Sequence, residues 1–375
     1  MQIFMLVLGT RGDLELFLML GQELHRRGHH ITLGTSSFYS TRVQDVGLDW
    51  VQVGDGTQDE LIAIFRSQSS VRDKRARVVA YAQRWVQPQM SSSRKRIETI
   101  ISKTDYIVDN LRTVWKRNGE IVPATSLIYD PPSDIANLAK YSSQLVDHHG
   151  RILEIVAMNK ELVDPHDLWG PQYHFTGFWK YPQPPVFEPP TALQQFLVGG
   201  IPPVVVTMGS MVTFDTDQLT KKIVAALRQV GQRAVMVNSW SERSDISIFP
   251  DTVHCVSEIS YDWLFSQASC VIHHGGSGTV SAVLRSGRPS ILLPQIASQE
   301  KFGEILTREN LVTGVFDVNR VTVLELAQAI QTAVTEEKFR EFVQIWSQKI
   351  ERDLGVKAAA DRLEQHANDT FSNRD

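Results

Sequence analysis

The sequence predicts an α/β protein built from two doubly wound, parallel-sheet halves. Three observations carry this expectation. A strand–loop–helix–strand pattern opens the chain, the same pattern restarts near residue 200, and a proline-rich stretch separates the two. At 375 residues the chain is also longer than one core usually supports.

The opening MQIFMLVLGTRGD gives a continuous apolar run over residues 2–8, broken at Gly9. The run is too short for a signal peptide and lacks a basic start, so it is expected to be a buried first strand. In LELFLMLGQELHRRG, Leu14, Phe17, Leu20 and Leu24 fall on one helical face. Arg26 and Arg27 lie in the last turn and Gly28 ends it, as helix C-termini prefer. HITLGT then reads as a second strand. In the second half, IPPVVVTMGS is a strand with a glycine turn, TDQLTKKIVAALRQVG a helix closed by Gly231, and AVMVN the next strand. Between the halves, KYPQPPVFEPP holds five prolines in residues 180–190, a stiff extended linker. The expected division is 1–180, a linker at 181–190, 191–345, and a helical tail at 346–375 that docks on the outside.

Composition narrows the function classes. The chain is 42% hydrophobic and 21% charged, with net charge −4 and pI near 6.3, which argues against nucleic-acid binding. Cys255 and Cys270 lie in apolar runs, imply no disulfide framework and suit a reducing cytosol. No apolar run reaches the ~20 residues of a membrane span. The expected location is therefore cytoplasmic, with peripheral membrane contact through residues 66–96 as an option. That stretch carries nine basic residues and one acidic residue, Asp73, interleaved with Val78, Val79, Tyr81, Trp85 and Val86. It reads either as a solvated helix face or as a surface for an anionic or lipidic partner.

The chemistry concentrates in HHGGSGTVSAVLRSGRPSILLPQ, residues 273–295. A strand, ASCVI, runs straight into a helix, and such junctions bind ligands in α/β proteins. A helix N-terminus presents unpaired N–H groups and about half a positive charge, which suits phosphate. Gly275, Gly276 and Gly278 let the backbone approach an anion, Ser277 and Thr279 add hydroxyls, and His273 can donate to a phosphate oxygen. A glycine-rich tight turn with a capping serine is the structural alternative. The following strand, SILLP, is expected beside ASCVI, which brings Ser298 and Gln299 near the same loop; these two could instead cap the next helix.

HHGGSGT, the later GRPSILLP and SQ, GSM at 209–211, TGFW at 176–179, GTRGD and the tail IERDLGVKAAADRLE together resemble the GT-B glycosyltransferases of the GT1 class, in particular the bacterial antibiotic-type and sterol-type members. The likeness is strong from about residue 170 onward and over residues 1–35, and weak over about 50–165. The resemblance implies two Rossmann-like domains facing a cleft, with terminal helices packing back on the first domain. It implies an inverting, metal-independent transfer of a sugar from a UDP- or TDP-sugar to a hydroxyl of a hydrophobic small-molecule, sterol-like or lipid acceptor. No cofactor is required beyond the nucleotide sugar, which is a substrate. By position, His273 and Ser277–Thr279 would hold the diphosphate with Ser210 close by, and Gly12 joins the donor-binding set. Ser298 and Gln299 occupy the place of an Asp-Gln pair that contacts sugar hydroxyls; the aspartate is replaced by Ser298. Ile259, Ser260 and Tyr261 lie where the nucleobase is expected, with Ser260-Tyr261 standing in place of the usual Pro-His.

Displacing a nucleoside diphosphate requires stabilised leaving phosphates and a base for the acceptor hydroxyl. Asp13, just past the first strand, can be that base or can cap the following helix; the resemblance favours the base. GTRGD does not complete a dinucleotide fingerprint. Asp215-Thr216-Asp217 spells a metal–nucleotide motif, but it directly precedes a helix and reads better as a cap. No metal-ligand spacing is evident. Two other functions fit the same residues: a nucleotide-sugar epimerase of the same fold, and a non-catalytic nucleotide-sugar-binding accessory protein.

Overall fold

The computed structural model describes residues 1–67, 80–110, 115–118, 120–128, 152–162, 173–181, 187–209, 215–237, 249–257, 259–351 and 355–372. The chain divides into two compact units, Met1–Pro184 with Asp353–Asp375, and Pro185–Arg352.

In the first unit the strands are β1 (Gln2–Leu6), β2 (His30–Thr35), β3 (Asp49–Gln52), β4 (Tyr106–Asp109), a small hairpin of β5 (Lys116–Arg117) and β6 (Glu120–Ile121), then β7 (Ala124–Ile128), β8 (Ile152–Val156) and β9 (Tyr173–Phe175). Apart from the hairpin they form one parallel sheet in the order β3-β2-β1-β4-β7-β8-β9. Both faces of β1 are covered, which explains its unbroken apolar run. Ile3 and Met5 meet the core under α1 (Arg11–Arg26), while Phe4 and Leu6 meet a second core with Ile97 and Ile101. Those two isoleucines sit on the fourth helix of the described chain, α4 (Gln87–Ile101), which follows α2 (Ser40–Asp45) and α3 (Gln58–Ser67). The α1 stripe buries Leu14, Phe17, Leu20 and Leu24 as its 3.6-residue period requires.

The second unit repeats the plan with β10 (Val204–Thr207), β11 (Ala234–Val237), β12 (Val253–Val256), β13 (Cys270–His273), β14 (Ser290–Leu292) and β15 (Val312–Val315). The parallel order is β12-β11-β10-β13-β14-β15. Its helices are α5 (Thr191–Val198), α6 (Thr216–Gln229), α7 (Tyr261–Ser266), α8 (Ser277–Ser286), α9 (Ala297–Arg308), α10 (Val323–Thr335) and α11 (Glu337–Glu351). In both sheets the strand order reverses beside the first strand, between β1 and β4 and between β10 and β13. A crevice opens at the carboxyl ends of the strands at such a point, and ligands of open α/β sheets bind there. Asp215 caps α6, its carboxylate accepting from the Gln218 N–H at 3.0 Å, so the acidic doublet around it is a helix start.

The tail corrects one expected boundary. The proposed break at 345/346 falls inside α11, which runs unbroken and packs on α8. The chain changes unit only after Arg352. The final helix, α12 (Val356–Ser372), then buries Ala359, Ala360, Leu363 and Ala367 in the first unit's core. Polar contacts fix it there. Arg27 reaches Asp361 at 2.6 Å and Glu364 at 2.8 Å, and also holds Glu23, whose side chain is fully buried. His366 Nδ1 and the Tyr106 hydroxyl lie 2.6 Å apart.

The basic stretch 66–96 lies partly outside the described residues. What is described does not support a membrane-facing surface. Trp85 is buried, and the Tyr81 hydroxyl donates to the Leu8 carbonyl at 3.0 Å. Arg94 pairs with Glu98 at 2.9 Å and Arg96 donates to the Gln52 carbonyl at 2.7 Å. Trp85 turns inward, and Arg94 and Arg96 find local partners. Among the described residues no helix is long and apolar enough to cross a membrane.

Candidate functional site

The reversal point of the second sheet gathers the glycine-rich residues. β10 ends at Thr207, and β13 ends beside it at His273, the two residues paired in register. From His273 the chain passes through His274 and Gly275 to Gly276, which is the N-cap of α8. Gly276 has no side chain to offer, and no side-chain hydrogen bond caps the helix. The N–H groups of Ser277, Gly278 and Thr279 therefore open the helix with no intrahelical acceptor. The glycines have different reasons. Gly275 sits at φ +88°, which favours glycine. A Cβ at Gly276 would lie 2.5 Å from His274 Nε2, and one at Gly209 would lie 2.5 Å from the same ring, so His274 is clamped between two glycines. Gly278 answers to nothing among the described residues: a Cβ there meets none of their atoms within 4 Å. The helix start is open at that residue.

Both imidazoles are buried and neutral at pH 7. Burial pushes His273 down to about 3, helped by its neighbour His274, and burial pushes His274 down to about 4 against a bond to the Thr207 carbonyl. The Gly275 N–H donates to His273 Nδ1 at 3.2 Å, which places the ring proton on Nε2. That Nε2–H is buried and has no hydrogen-bond partner among the described residues. An unmet buried donor costs about 1–3 kcal/mol.

The neighbouring strand completes the site from below. Gln299 Oε1 accepts from the Gln295 N–H at 2.7 Å, and Gln295 Nε2 donates to the Met208 carbonyl at 3.1 Å. This latch ties the start of α9 to the turn after β10. A Cβ at Gly275 would sit 3.3 Å from the Gln299 carbonyl, so the first turn of α9 borders the glycine loop. Ser298 and Gln299 both stand in that first turn, after the N-cap Ile296, and neither is itself the cap. Ser298 is partly exposed and Gln299 is buried. Of the nucleobase candidates, Ile259 packs against the core under α7 and Ser260 is the α7 N-cap. The Tyr261 hydroxyl lies 2.7 Å from Thr207 Oγ1, and its ring stacks on Phe265 at 4.7 Å. Ser210 lies outside the described residues.

Thr207 and Gln295 were not singled out from sequence, yet they join the elements. The carbonyl of buried Thr207 accepts from His274, and its hydroxyl shares a hydrogen bond with the Tyr261 hydroxyl. A polar residue at the end of an all-apolar strand run, as in VVVT and LLPQ, is the signal that could have flagged both.

In the first unit, Asp13 stands in the first turn of α1 at the corresponding reversal point. Its Oδ2 accepts from the Thr10 N–H at 2.5 Å and from the Thr10 hydroxyl at 2.8 Å. With Thr10 as N-cap this is a capping box, so Asp13 does cap its helix. The carboxylate curls back over Gly9, where a Cβ would collide with it. At Gly12 a Cβ would meet only Thr10 Oγ1, at 3.6 Å. The negative charge of Asp13 adds to burial in raising the hydroxyls of Tyr39 and Tyr81 above the usual phenol range. Among the described residues no group of three or more His, Cys, Asp or Glu could hold a metal ion.

Two parallel-sheet units of this kind define the GT-B fold. Solved structures agree: the calicheamicin glycosyltransferase CalG4 superposes with a TM-score of 0.68 at 17% identity, covering 98% of both chains. Glycosyltransferase VinC in complex with dTDP gives 0.70 at 15% identity, covering 98% of this chain and 100% of that one. The glycosyltransferase family 28 N-terminal domain matches residues 3–115, and the erythromycin biosynthesis protein CIII-like C-terminal domain matches residues 221–353. The chain has the GT-B fold and is similar to glycosyltransferases of the GT1 type. It is 24% identical to O-mycaminosyltylonolide 6-deoxyallosyltransferase of Streptomyces fradiae, over 98% of both chains. It is 23% identical to a sterol 3-beta-glucosyltransferase of Arabidopsis thaliana, over 98% of this chain and 66% of that protein's length. Against the Saccharomyces cerevisiae sterol 3-beta-glucosyltransferase it spans 34% of the length.

Proposed function

We propose that the protein transfers a sugar from a UDP- or TDP-sugar to a hydroxyl of a hydrophobic small molecule or lipid, with inversion at the sugar carbon and without a metal. The observation that carries this reading is the start of α8: uncapped N–H groups, open space at Gly278, and the unmet Nε2–H of a neutral His273. These are donors for a diphosphate. They stabilise the charge that grows on the leaving phosphate as the bond to the sugar breaks, without reorganising at that moment. A neutral histidine suits the task, because it donates without needing to be charged at working pH. Ser298, partly exposed in the first turn of α9, reaches toward the sugar without the charge of an aspartate. The names of relatives that glucosylate sterols or glycosylate a tylonolide, and the dTDP complex of a structural neighbour, support the donor and acceptor classes.

Asp13 is the base in this reading. The acceptor oxygen attacks the sugar carbon from the face opposite the phosphate, and the acceptor proton passes to the carboxylate. Capping does not forbid it. A carboxylate offers about four lone-pair sites, and the two bonds from Thr10 both fall on Oδ2. They hold the side chain in one rotamer, which is what a positioned base requires. Asp13→Asn keeps the shape and lowers turnover by ~10²–10⁴-fold, the usual worth of a general base, with nucleotide affinity preserved. Turnover equal to the parent in a nucleoside diphosphate release assay would remove Asp13 from the chemistry.

A further inference from the structure

The arginines at the amino edge of the second sheet are unequally provided for. Arg285, in the last turn of α8, has a carboxylate: it reaches Asp262 on α7 at 2.8 Å. Arg288, three residues on and just ahead of β14, has none among the described residues. Its one hydrogen bond there runs from Nη2 to the Ser266 carbonyl at 2.6 Å, and its Nε–H is buried without a partner. Arg340, in the first turn of α11, repeats the pattern. Its Nε–H is also buried and unmet among the described residues, and its one ion pair there is a loose 3.4 Å contact with Glu337, a side chain 66% exposed. The packing of α11 on α8 brings the two arginines together. Arg340, Gln344 and Ser347 share one face of α11, spaced four and three residues apart. Ser347 Oγ donates to the Arg285 carbonyl at 2.8 Å, and a Cβ at Gly287 would lie 3.5 Å from Gln344 Cγ. One turn along α11, from Ser347 to Gln344, thus corresponds to the step from Arg285 to Gly287. The next turn reaches Arg340 as the chain reaches Arg288. Burial, and next the charge of Arg340, holds the Arg288 guanidinium below its ordinary range.

Two neighbouring guanidiniums repel, and Arg288 is partly buried and has lost some of its water. An apolar side chain would fill this corner without either penalty. An anion between the two relieves both. A guanidinium presents parallel N–H groups that match two oxygens of one phosphate or carboxylate group. Together the pair carries two positive charges, which a phosphate dianion balances and a single carboxylate does not. The corner is far from the glycine loop. Arg288 stands ahead of the amino end of β14, whereas His273 pairs with Leu292 at the other end of that strand. We propose that Arg288 and Arg340 form a second anion site, separate from the start of α8, which takes the phosphate group of a free phosphate ion or of a phosphomonoester. The nearby acids at the start of α11 are Glu336 and Glu337; Lys338 neutralises the first at 2.6 Å, and solvent screens the second.

Phosphate itself is the probe. Inorganic phosphate is titrated by calorimetry into the full chain and into Arg340→Gln, Arg288→Lys and His273→Ala. The expected result is a phosphate site that weakens about tenfold in Arg340→Gln, through loss of one charge-assisted pair, and also in Arg288→Lys, which keeps the charge and loses the fork. His273→Ala is expected to leave that site unchanged, which sets it apart from the proposed donor site. Circular dichroism and the melting temperature report that the variants are folded; Arg340→Gln is the milder change, since Arg288 also holds the end of α7 through Ser266. Acetate, a monoanion, is expected not to compete at equal ionic strength. Glycerol 3-phosphate separates the two sources. Tighter binding than phosphate, with the same dependence on Arg340, assigns the site to a phosphomonoester, and binding no tighter assigns it to the free ion. No phosphate binding in the parent, parental affinity in both arginine variants, a loss confined to His273→Ala, or equal competition by acetate would overturn the proposal. The readout needs neither a nucleotide sugar nor turnover, so phosphate binding that depends on Arg340 stands even where sugar transfer fails.

Discussion

Gly275, Gly276 and Gly278 occupy one short loop and are kept for three different physical reasons. Gly275 adopts a left-handed backbone, Gly276 clears the His274 ring, and Gly278 clears nothing among the described residues. The variants should therefore separate. Gly275→Ala strains the backbone and should lower the melting temperature by several degrees, about 1 kcal/mol or more. Gly278→Ala should leave the melting temperature within a degree or two, while weakening nucleoside diphosphate binding through the added methyl at the open helix start. Calorimetry on both variants checks this, and equal nucleotide affinity in Gly278→Ala and the parent would detach Gly278 from the ligand. The same scale exposes what a sequence conceals. HHGGSGT announces a strand–glycine–helix junction, but not which histidine is locked by which glycine. His273 and His274 are adjacent letters whose rings do different work: one leaves an unmet donor, the other is wedged between Gly209 and Gly276. Gly209 lies some sixty residues away in the chain, so that contact depends on β10 and β13 becoming neighbours, which no local pattern states.

At the scale of elements, the β13–α8 junction binds two neutral imidazoles into the fold, and this carries a pH signature. Both rings have native pKa values pushed below the ordinary 6.5, to about 3 and about 4, chiefly by burial. Unfolding returns them to water, where they take up protons below about 6.5. Their contribution is therefore fully present above that value and is lost as pH falls toward 4, because the unfolded state binds protons the native state refuses. The urea midpoint should drop between pH 7 and pH 5, and nitrogen NMR at pH 5.5 should still show both rings neutral. Two charged rings in the folded protein at that pH would contradict the burial argument. The strands and helices beside this junction were legible from apolar runs and glycine stops, since both faces of a central parallel strand must be apolar. The ends were less so. Asp13 illustrates this: capping and catalysis ask for the same residue type at the same place, and the capping box with Thr10 emerges only from the geometry. The tail was read as one outer layer, but α11 and α12 belong to different units, separated by the left-handed turn at Gly355. Helical periodicity predicts that a helix has a buried face; it does not say against which body.

On the scale of the molecule, the chain repeats one plan. Each unit is a parallel sheet whose strand order reverses beside its first strand, and each places its distinctive residues at that reversal. The first unit offers one carboxylate held by Thr10 at the start of α1; the second offers backbone donors, a neutral imidazole and a latch of two glutamines. In the proposed reaction the negative charge of the first unit would take the acceptor proton, and the hydrogen-bond donors of the second would hold the leaving phosphate. The division also explains why overall charge says little. A net −4 spread over 375 residues is compatible with the proposed anion site, which would use N–H groups and a helix end rather than lysines. The central claim is that the second unit holds a nucleoside diphosphate through α8 and His273 without a metal. Isothermal titration of UDP, TDP and GDP in the presence of a chelator tests it most directly, on the parent and on His273→Ala. The expected result is one-site binding of UDP or TDP in chelator, weakened roughly tenfold in the variant by the loss of one hydrogen bond to a charged group. Binding of none of the three, binding only after a divalent metal is restored, or identical affinity in the variant would contradict it.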